Sequence, residues 1–358
     1  MSASCYQTIM AHENFSVLGG GIAGLAAAIA LARTGHSVTI LEKAKAFDPI
    51  GAGIQLGPNA VRALQKIGAW EAVQPITYAP PAIHFRSGTS GRLLKELKLG
   101  SAFENRFGQP YRVAHRADLH ARLLAVAESL PQIKIEMNAC AAPQDIKGRV
   151  IAADGMWSKT REQLFPGTRA VSDPSVIFRA MIAMPEQNDI AFTCVNLWYY
   201  PGAHVVHYPA GRKDKLNLVF IGPPAGPCRH LAKSAPKLRH LVARVPTWKE
   251  WQPAYVTPLP SWHKHNTLLI GDAAHGTLPY LAQGAAMSLE DGAALLLTTN
   301  PQEFEALRLQ RCTRLHQQTL QVGKIDHFRG VKAFARNTAL RFSSDETVLG
   351  RMSWIYSG

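Results

Sequence analysis

The apolar residues near the start of the chain fall into two short runs separated by one long run. Residues 15–18 and 38–41 have the length of buried strands, and residues 25–32 between them are almost entirely Ala, Leu and Ile, which favours a helix. Gly35 follows the long run at the position of a helix C-terminal cap. The pattern therefore predicts a strand, a helix and a second strand, the βαβ unit of an α/β fold with a parallel sheet.

Similar periodicity continues through the first half of the chain. A helix is predicted after Pro58, with Val61, Leu64 and Ile67 on one face, and another begins near Asp118. Further strands are predicted at residues 82–85, 92–99, 132–136, 148–153 and 267–270. The first two flank a Ser-Gly-Thr-Ser-Gly turn and are predicted to form a β-hairpin.

Residues 171–262 have a different character, with many prolines, short strands and little predicted helix. Strands are predicted at residues 176–184, 196–200 and 216–221. This segment is therefore expected to form a mostly antiparallel sheet, inserted into the Rossmann-like α/β fold.

The last third of the chain is predicted to be largely helical, from Pro301 to about Asn337. Its expected packing residues are Phe304, Leu307, Leu309 and Leu315. The whole pattern predicts a discontinuous nucleotide-binding domain (residues 14–78, 106–170 and 262–340), a second domain (79–105 and 171–261) and a C-terminal tail (341–358).

The first βαβ unit contains a nucleotide-binding motif. Gly19, Gly21 and Gly24 have the spacing G-x-G-x-x-G between the strand and the helix, and Glu42 ends the next strand. A glycine motif alone is a weak signal, but here the strand, the helix and the acid all stand in the expected order. The acid favours an unmodified ribose 2′-hydroxyl, so the bound ADP half is predicted to belong to FAD or NAD rather than NADP.

Other polar residues stand at predicted strand ends or helix starts. Asp154 and Gly155 form a turn between a strand and a helix, and Asp272 ends another strand. Gly284 precedes a helix whose N-terminus can stabilise negative charge. Arg116 begins a helix and could pair with a phosphate, although a surface carboxylate is the more ordinary partner for it.

The strand around residues 204–208 carries candidate catalytic chemistry. Alternation places His204 and Tyr208 on one face and His207 on the other. If that face covers a pocket, a proton acceptor and a proton donor meet there. Two polar groups hydrogen-bonded within a packed sheet are an equally good interpretation of the pattern.

Composition narrows the class of protein. With 47% hydrophobic and 18% charged residues the chain is typical of globular proteins. The net charge of +14 would suit a nucleic-acid binder, but the basic residues are dispersed and no such motif occurs. The five cysteines lack metal or disulfide spacing, no membrane span or secretory signal is visible, and a cytoplasmic location is expected.

Three motifs together resemble the FAD-dependent aromatic hydroxylases, the single-component class A flavoprotein monooxygenases. They are GGGIAG with Glu42, DGMWSKTR from Asp154 to Arg161, and GDAAHGTLP from Gly271 to Pro279 with the extension AQGAAMSLED. The likeness is greatest to the salicylate and 3-hydroxybenzoate hydroxylase branch, and it runs from Phe15 nearly to the terminal WIY.

The resemblance implies a role for each matched residue. It places the ADP half of FAD on the glycine motif and Glu42, the ribityl chain on Asp272, and the flavin pyrimidine edge at the Gly284 turn. The implied cofactor-binding residues are Gly19, Gly21, Gly24, Glu42, Arg116, Asp154, Gly155, Arg161, Asp272, Pro279, Gly284 and Ala285. The implied catalytic residues in the substrate pocket are His204, Tyr208 and Gln283.

The resemblance also implies a reaction. NADH or NADPH would reduce FAD, O2 would be captured as a flavin C4a-hydroperoxide, and a small hydroxylated aromatic acid would be hydroxylated. We hypothesise that His204 helps to ionise the phenol, because imidazole titrates near neutral pH. A homodimer is possible, and neither a metal nor a nucleic acid is expected to take part.

The sequence departs from the family pattern in two places. The segment before Asp154 is short, and so is the part of the second domain between Gly222 and Trp262. One alternative is therefore a shortened FAD-binding paralogue without hydroxylase turnover. Another is a flavin monooxygenase acting on a larger aromatic or polyketide ring.

Overall fold

The computed structural model describes residues 12–47, 51–186, 191–211 and 214–357. The strands are β1 (Asn14–Leu18), β2 (Ser37–Glu42), β3 (Gly53–Leu56), β4 (Ala82–Ser87), β5 (Leu93–Lys98), β6 (Arg112–His115), β7 (Ile133–Met137), β8 (Arg149–Ala152), β9 (Val171–Ser172), β10 (Val176–Ala183), β11 (Val195–Tyr200), β12 (Ala203–Pro209), β13 (Lys215–Gly222), β14 (Lys249–Trp251), β15 (Ala254–Tyr255), β16 (His263–Lys264) and β17 (Thr267–Leu269). The helices are α1 (Ile22–Arg33), α2 (Pro58–Lys66), α3 (Trp70–Val73), α4 (Ser101–Phe107), α5 (Arg116–Glu128), α6 (Lys159–Leu164), α7 (Pro227–Leu231), α8 (Pro236–Ala243), α9 (Asp272–His275), α10 (Gly284–Leu295), α11 (Pro301–Asp326), α12 (Gly330–Phe342) and α13 (Asp345–Tyr356).

The first sheet has six strands in the order β16-β17-β8-β1-β2-β7, all parallel except the edge strand β16. The predicted βαβ unit is confirmed as β1, α1 and β2. Helix α1 is buried along almost its whole length and packs between this sheet and α10. Gly35 has φ +91°, and its amide donates to the Ala32 carbonyl at 3.0 Å, as expected of a residue that ends a helix.

One face of this sheet is apolar and the other carries a polar row. The register aligns Phe15 with Val38, on the face that packs against α1. On the opposite face it aligns Ser16 with Thr39 and Thr39 with Lys134. Lys134 on the edge strand β7 is exposed and the other two are half-buried, whereas Val150 of β8, which pairs with Ser16, is buried. This face therefore meets water along β1, β2 and β7.

The second sheet has seven strands in the order β14-β10-β13-β12-β11-β4-β5 and is antiparallel except for the β11–β4 pair. The predicted hairpin is confirmed as β4–β5, and the hairpin joins this sheet through β11. The expectation of little helix between residues 171 and 262 was wrong for α7 and α8. Their residues Leu231, Leu238 and Leu241 fill the core behind the sheet.

The C-terminal helices differ in detail from the predicted ones. Phe304 and Leu315 of α11 are buried as predicted, and Leu309 packs partly against the same core. Leu307 is 49% exposed, so its prediction as a packing residue was wrong. The inward position beside it belongs to Arg308, which pairs with two buried carboxylates of α10.

His207 on β12 is enclosed in the core behind the second sheet. Neither of its ring nitrogens has a hydrogen-bond partner among the described residues, and its ring lies beside Phe192 and Trp198. Burial, followed by the nearby Arg86 charge, lowers its pKa from 6.5 to about 3. The folded protein therefore keeps this imidazole neutral at every pH where the unfolded chain would begin to protonate it.

We expect a His207→Leu variant to resist mild acid better than the wild type. The depressed pKa means that the unfolded chain takes up a proton below pH 6.5 while the folded chain does not, so stability is lost as pH falls. Between pH 7.5 and 5.5 the wild type should lose about 1.4 kcal/mol more unfolding free energy than the variant. Urea unfolding at the two pH values measures this difference, and equal losses in both proteins would contradict it.

Candidate active site

The glycine turn between β1 and α1 is closely packed on one side and open on the other. Gly19 has φ +101°, and a Cβ atom there would lie 2.6 Å from the Ala153 carbonyl oxygen. A Cβ atom on Gly24 would lie 1.9 Å from the Gly19 carbonyl oxygen, so only glycine allows this close approach. A Cβ atom on Gly21 would meet no atom within 4 Å among the described residues, so this position faces open space.

The start of α1 fits an anionic ligand. Gly21 is the N-cap residue and offers no side chain to the first amides of the helix, whose N–H groups and dipole attract negative charge. Beside the turn, the Glu42 carboxylate accepts hydrogen bonds from the Gly20 amide at 2.8 Å and the Ala44 amide at 2.9 Å. This open cradle, with a fixed acid at the end of β2, fits the ADP half of FAD.

The Asp154 motif forms a turn that its own side chains hold in place. Asp154 accepts hydrogen bonds from the Ser158 hydroxyl at 2.6 Å and the Thr160 amide at 3.1 Å, and Gly155 has φ +83° with open space beyond it. Arg161 is fully buried, and its guanidinium donates to the backbone carbonyls of Met156, Thr168 and Ala273. The structure therefore places Arg161 beneath the turn, as a brace between this motif and α9.

Asp272 and Arg116 face each other across the groove between the glycine turn and α9. Burial raises the pKa of the Asp272 carboxyl, while the charges of His275 and Arg116 oppose that rise. Burial also lowers the pKa of Arg116, and Asp272 is the charge that opposes the change. The Arg116 side chain has no hydrogen bond to another described residue, so it is available to a ligand phosphate.

A second open helix N-terminus lies at α10. Pro279 begins a short 3-10 helix, Pro279–Leu281, that leads into Gln283, the N-cap residue of α10. No side chain caps the first amides of α10, and a Cβ atom on Gly284 would meet no described atom within 4 Å. Gly284 and Ala285 therefore present backbone N–H groups that can stabilise negative charge on a flavin ring.

His204 lies on the face of the second sheet that is turned toward the first domain. Its Nδ1 atom is 3.1 Å from Nε2 of His327 on the loop after α11, and its ring contacts Tyr280 at a centroid distance of 5.8 Å. Burial lowers the pKa of His204 well below 6.5, and the charges of His327 and Arg336 act in the same direction. His204 is therefore neutral at pH 7 and able to accept a hydrogen bond.

Tyr208 shares the face of His204, as the alternation predicted, and His207 points to the opposite side. Burial raises the pKa of the Tyr208 phenol to about 12, and its hydroxyl interacts with Gln55. Tyr208 therefore stays protonated and can donate a hydrogen bond to a ligand oxygen. An apolar cluster covers the same face beside these two residues, formed by Ile177, Val219, Ile221 and Tyr280.

Gln283 is buried and held by a chain of hydrogen bonds. Asn59 on α2 donates through Nδ2 to Gln283 Oε1 at 2.9 Å and to Glu290 Oε1 at 2.7 Å. Burial alone would raise the pKa of Glu290, but its contacts with Arg308, Arg311 and Asn59 outweigh burial and leave the pKa lowered, so Glu290 is an ionised acceptor. Because an ionised carboxylate can only accept hydrogen bonds, Glu290 must face the NH2 end of the Asn59 amide. The same NH2 group donates to the Gln283 oxygen, so the Gln283 NH2 group points away from Asn59.

We expect Asn59→Ala to impair substrate turnover more than it impairs the fold. The substitution removes the donor that fixes the Gln283 amide and leaves Glu290 with one partner fewer. We expect a fall of about tenfold or more in kcat/KM and a loss of about 1–3 kcal/mol in stability. Steady-state kinetics on Asn59→Ala, Gln283→Ala and the double variant measure the coupling, and fully additive losses would contradict it.

Two polar residues near this site belong to none of the sequence motifs. The sequence pattern predicts only that Asn59 lies at the start of a helix and that Arg179 lies in a strand, here β10. The signal for Arg179 was a lone charged residue within an otherwise apolar strand, VIFRAMIA. The signal for Asn59 was weaker, because its partners lie more than 200 residues away.

His275, Asp291 and Cys312 are the described residues whose side chains cluster as metal ligands could. Arg308 occupies the same cluster, with Nε 2.9 Å from the Asp291 carboxylate and Nη2 3.8 Å from Cys312 Sγ. Asp291 also accepts from the Gly271 amide at 2.8 Å and pairs with His275 at 2.6 Å. The cluster therefore anchors the Gly271 motif to α10 through ion pairs, and the Arg308 cation takes the place of a metal charge.

Among the described residues, no helix combines the length and the hydropathy that crossing a bilayer requires.

Residues 17–47, which contain the glycine turn and Glu42, match the NAD(P)-binding Rossmann-like domain family. The chain is 33% identical to 3-hydroxybenzoate 6-hydroxylase of Polaromonas naphthalenivorans strain CJ2, over 95% of this chain and 94% of that protein.

Two solved structures share the fold. HpxO of Klebsiella pneumoniae, in a complex with FAD and uric acid, has a TM-score of 0.83 and 23% identity, over 97% of this chain and 98% of that one. A salicylate hydroxylase in a substrate complex has a TM-score of 0.79 and 20% identity, over 97% and 96% of the two chains. The predicted fold class, a Rossmann-like domain with an inserted mostly antiparallel sheet and C-terminal helices, is confirmed.

This full-length relationship shows that the chain belongs to the FAD-dependent aromatic hydroxylases, the class A flavoprotein monooxygenases. It is related within that family to the 3-hydroxybenzoate 6-hydroxylases, three of which are 29–33% identical to it. The protein is an enzyme of that kind, an FAD-dependent aromatic-ring monooxygenase that uses O2 and NAD(P)H.

Proposed function

We propose that this enzyme hydroxylates a small hydroxylated aromatic acid of the salicylate or 3-hydroxybenzoate type. The observation that carries the proposal is the shared sheet face of His204 and Tyr208, with an apolar cluster beside them. A neutral imidazole and a protonated phenol are suited to the polar groups of such a substrate, and the apolar side chains to its ring. The relationship to 3-hydroxybenzoate 6-hydroxylases supports the same substrate class.

The cofactor-binding residues divide between the two open helix ends. Gly19, Gly21 and Glu42 would hold the ADP half of FAD at the start of α1. Asp272 would hold the ribityl chain, and the amides of Gly284 would face the flavin ring at the start of α10. When bound, FAD supplies the redox chemistry and the activation of O2.

The role proposed for His204 is to accept the phenolic proton of the substrate. A phenol that has lost its proton is a more electron-rich ring and is hydroxylated more readily. His204 is neutral, and its Nδ1 atom lies beside the His327 imidazole. When the Nε2 atom of His204 takes up the phenolic proton, a second imidazole is therefore in contact with the other nitrogen of the same ring. Tyr208 and the Gln283 amide would donate hydrogen bonds that orient the substrate.

The visible spectrum of the purified protein tests this function. A yellow protein whose flavin bands shift on titration with salicylate or 3-hydroxybenzoate is expected, together with acid-stimulated oxidation of NADH or NADPH and one added oxygen atom in the product. Rates with the two nucleotides identify the reductant. Flavin binding without acid-stimulated turnover would favour the shortened paralogue, and turnover of a polycyclic phenol alone would favour the larger-ring alternative.

We also infer a cytoplasmic location and propose a homodimer. The described cysteines are unpaired, which suits a reducing compartment: Cys140, Cys194, Cys228 and Cys312. Cys5 lies outside the described residues. Light scattering of the holoenzyme at micromolar concentration tests the homodimer, and a mass near 39.1 kDa would contradict it.

A further inference from the structure

Arg179 lies on β10, on the sheet face that also carries His204 and Tyr208. The antiparallel register pairs Arg179 with Val219 of β13, and Val219 pairs with Val206 of β12. Paired residues of adjacent strands share a face, and Val206 lies between His204 and Tyr208 on theirs. Val219 also belongs to the apolar cluster described above. The Arg179 side chain therefore starts from the floor of the proposed substrate site.

The Arg179 guanidinium has no anionic partner within the described part of the chain. Its Nε atom is buried without a hydrogen-bond partner among the described residues, and its guanidinium lies over the Trp251 ring, whose centroid is 4.0 Å from the guanidinium carbon. The titratable groups that face it are the Tyr208 phenol and the Arg116 guanidinium. No carboxylate of the described residues is among the groups that act on Arg179, so its charge has no protein counter-ion there.

A buried cation without a counter-ion is unfavourable unless a ligand supplies one. Guanidinium is the side chain best matched to a carboxylate, because its planar donors can bind both carboxylate oxygens at once. Trp251 lies against the guanidinium on one side and offers it no hydrogen-bond acceptor, so the N–H donors of Arg179 are left for an anion.

We propose that Arg179 binds the carboxylate of the aromatic substrate, with Tyr208 as a second donor to that group. The phenol of the substrate then lies toward His204, across the apolar cluster. This inference rests on the proposed function and sharpens it, because it makes Arg179 the residue that selects hydroxylated aromatic acids over neutral phenols.

Titration of the holoenzyme with a matched pair of ligands tests this role. The pair is 3-hydroxybenzoate and 3-hydroxybenzyl alcohol, which share ring and phenol and differ in charge. In Arg179→Gln, the flavin-band titration should show at least about thirtyfold weaker binding of the acid, with less than about twofold change for the alcohol. Arg179→Lys should recover part of the acid affinity because it keeps the charge.

Arg169→Gln is the matched control, since Arg169 is an exposed arginine that pairs only with Glu162 among the described residues. It should bind both ligands as the wild type does. Equal weakening of acid and alcohol in Arg179→Gln would overturn the inference and make Arg179 a structural residue. An unchanged acid affinity would overturn it as well. Failure of the wild type to hydroxylate any phenolic acid that it binds would instead overturn the proposed function, so the two failures are distinguishable.

Discussion

A Gly24→Ala variant is expected to purify without flavin and to unfold more readily than the wild type. The added methyl group would stand 1.9 Å from the Gly19 carbonyl oxygen, so α1 must move away from the turn that it follows. Overpacking at such a site costs about 1–3 kcal/mol or more, and the displaced helix carries the amides proposed to bind the pyrophosphate. Flavin absorbance per mole of protein and thermal unfolding measure the two effects.

Alanine substitutions at two further glycines distinguish an effect on folding from an effect on cofactor binding. A methyl group on Gly21 meets no described atom, so Gly21→Ala should keep the stability of the apoprotein and lose FAD affinity, because the methyl group faces the ligand space. Gly350→Ala in α13 likewise meets no described atom and should bind FAD normally. Full flavin occupancy in Gly24→Ala would show that the turn can relax and would contradict the prediction.

Replacing His204 by alanine should reduce product formation at pH 7 by about 100-fold or more while FAD binding persists. The variant lacks the neutral imidazole that we propose as the acceptor of the phenolic proton. Because an unassisted phenol ionises near pH 10, the variant should regain activity as pH rises toward that value. Product yield per NAD(P)H oxidised, measured from pH 6 to pH 9.5, records both effects.

The dependence of product formation on pH is also predicted for the wild type. The pKa of His204 is lowered from 6.5, so its neutral form should persist on the acidic side of pH 6.5, and product formation should not fall at that value. His207→Leu, on the opposite side of the same strand, should hydroxylate as the wild type does. A His204→Ala enzyme with the full neutral-pH rate would remove His204 from the mechanism.

The sequence could predict those parts of the site that depend on residues close together along the chain. The turn at Gly19, the acid at Glu42 and the alternation of His204 and Tyr208 all follow from local spacing. Arg179 could not be placed, because its surroundings depend on the register between β10 and β13, which joins residues about forty positions apart. Asn59 likewise became a site residue only when α2 packed against α10.

Local patterns also misjudged residues whose environment is set at long range. Leu307 has the right spacing for a packing residue, but the buried carboxylates of α10 draw Arg308 inward and turn Leu307 to solvent. The partner of a buried charge, which the sequence does not display, decided the outcome.

The polar row on β1, β2 and β7 bears on the short segment before Asp154. A sheet face left without a layer that it needs would expose apolar side chains to water, whereas this part of the face carries Ser16, Thr39 and Lys134, and Lys134 pairs with Glu136 at 2.7 Å. Polar side chains on one face of a sheet can stay hydrated. These three strands therefore need no further layer over them, and the short segment is compatible with a stably folded enzyme.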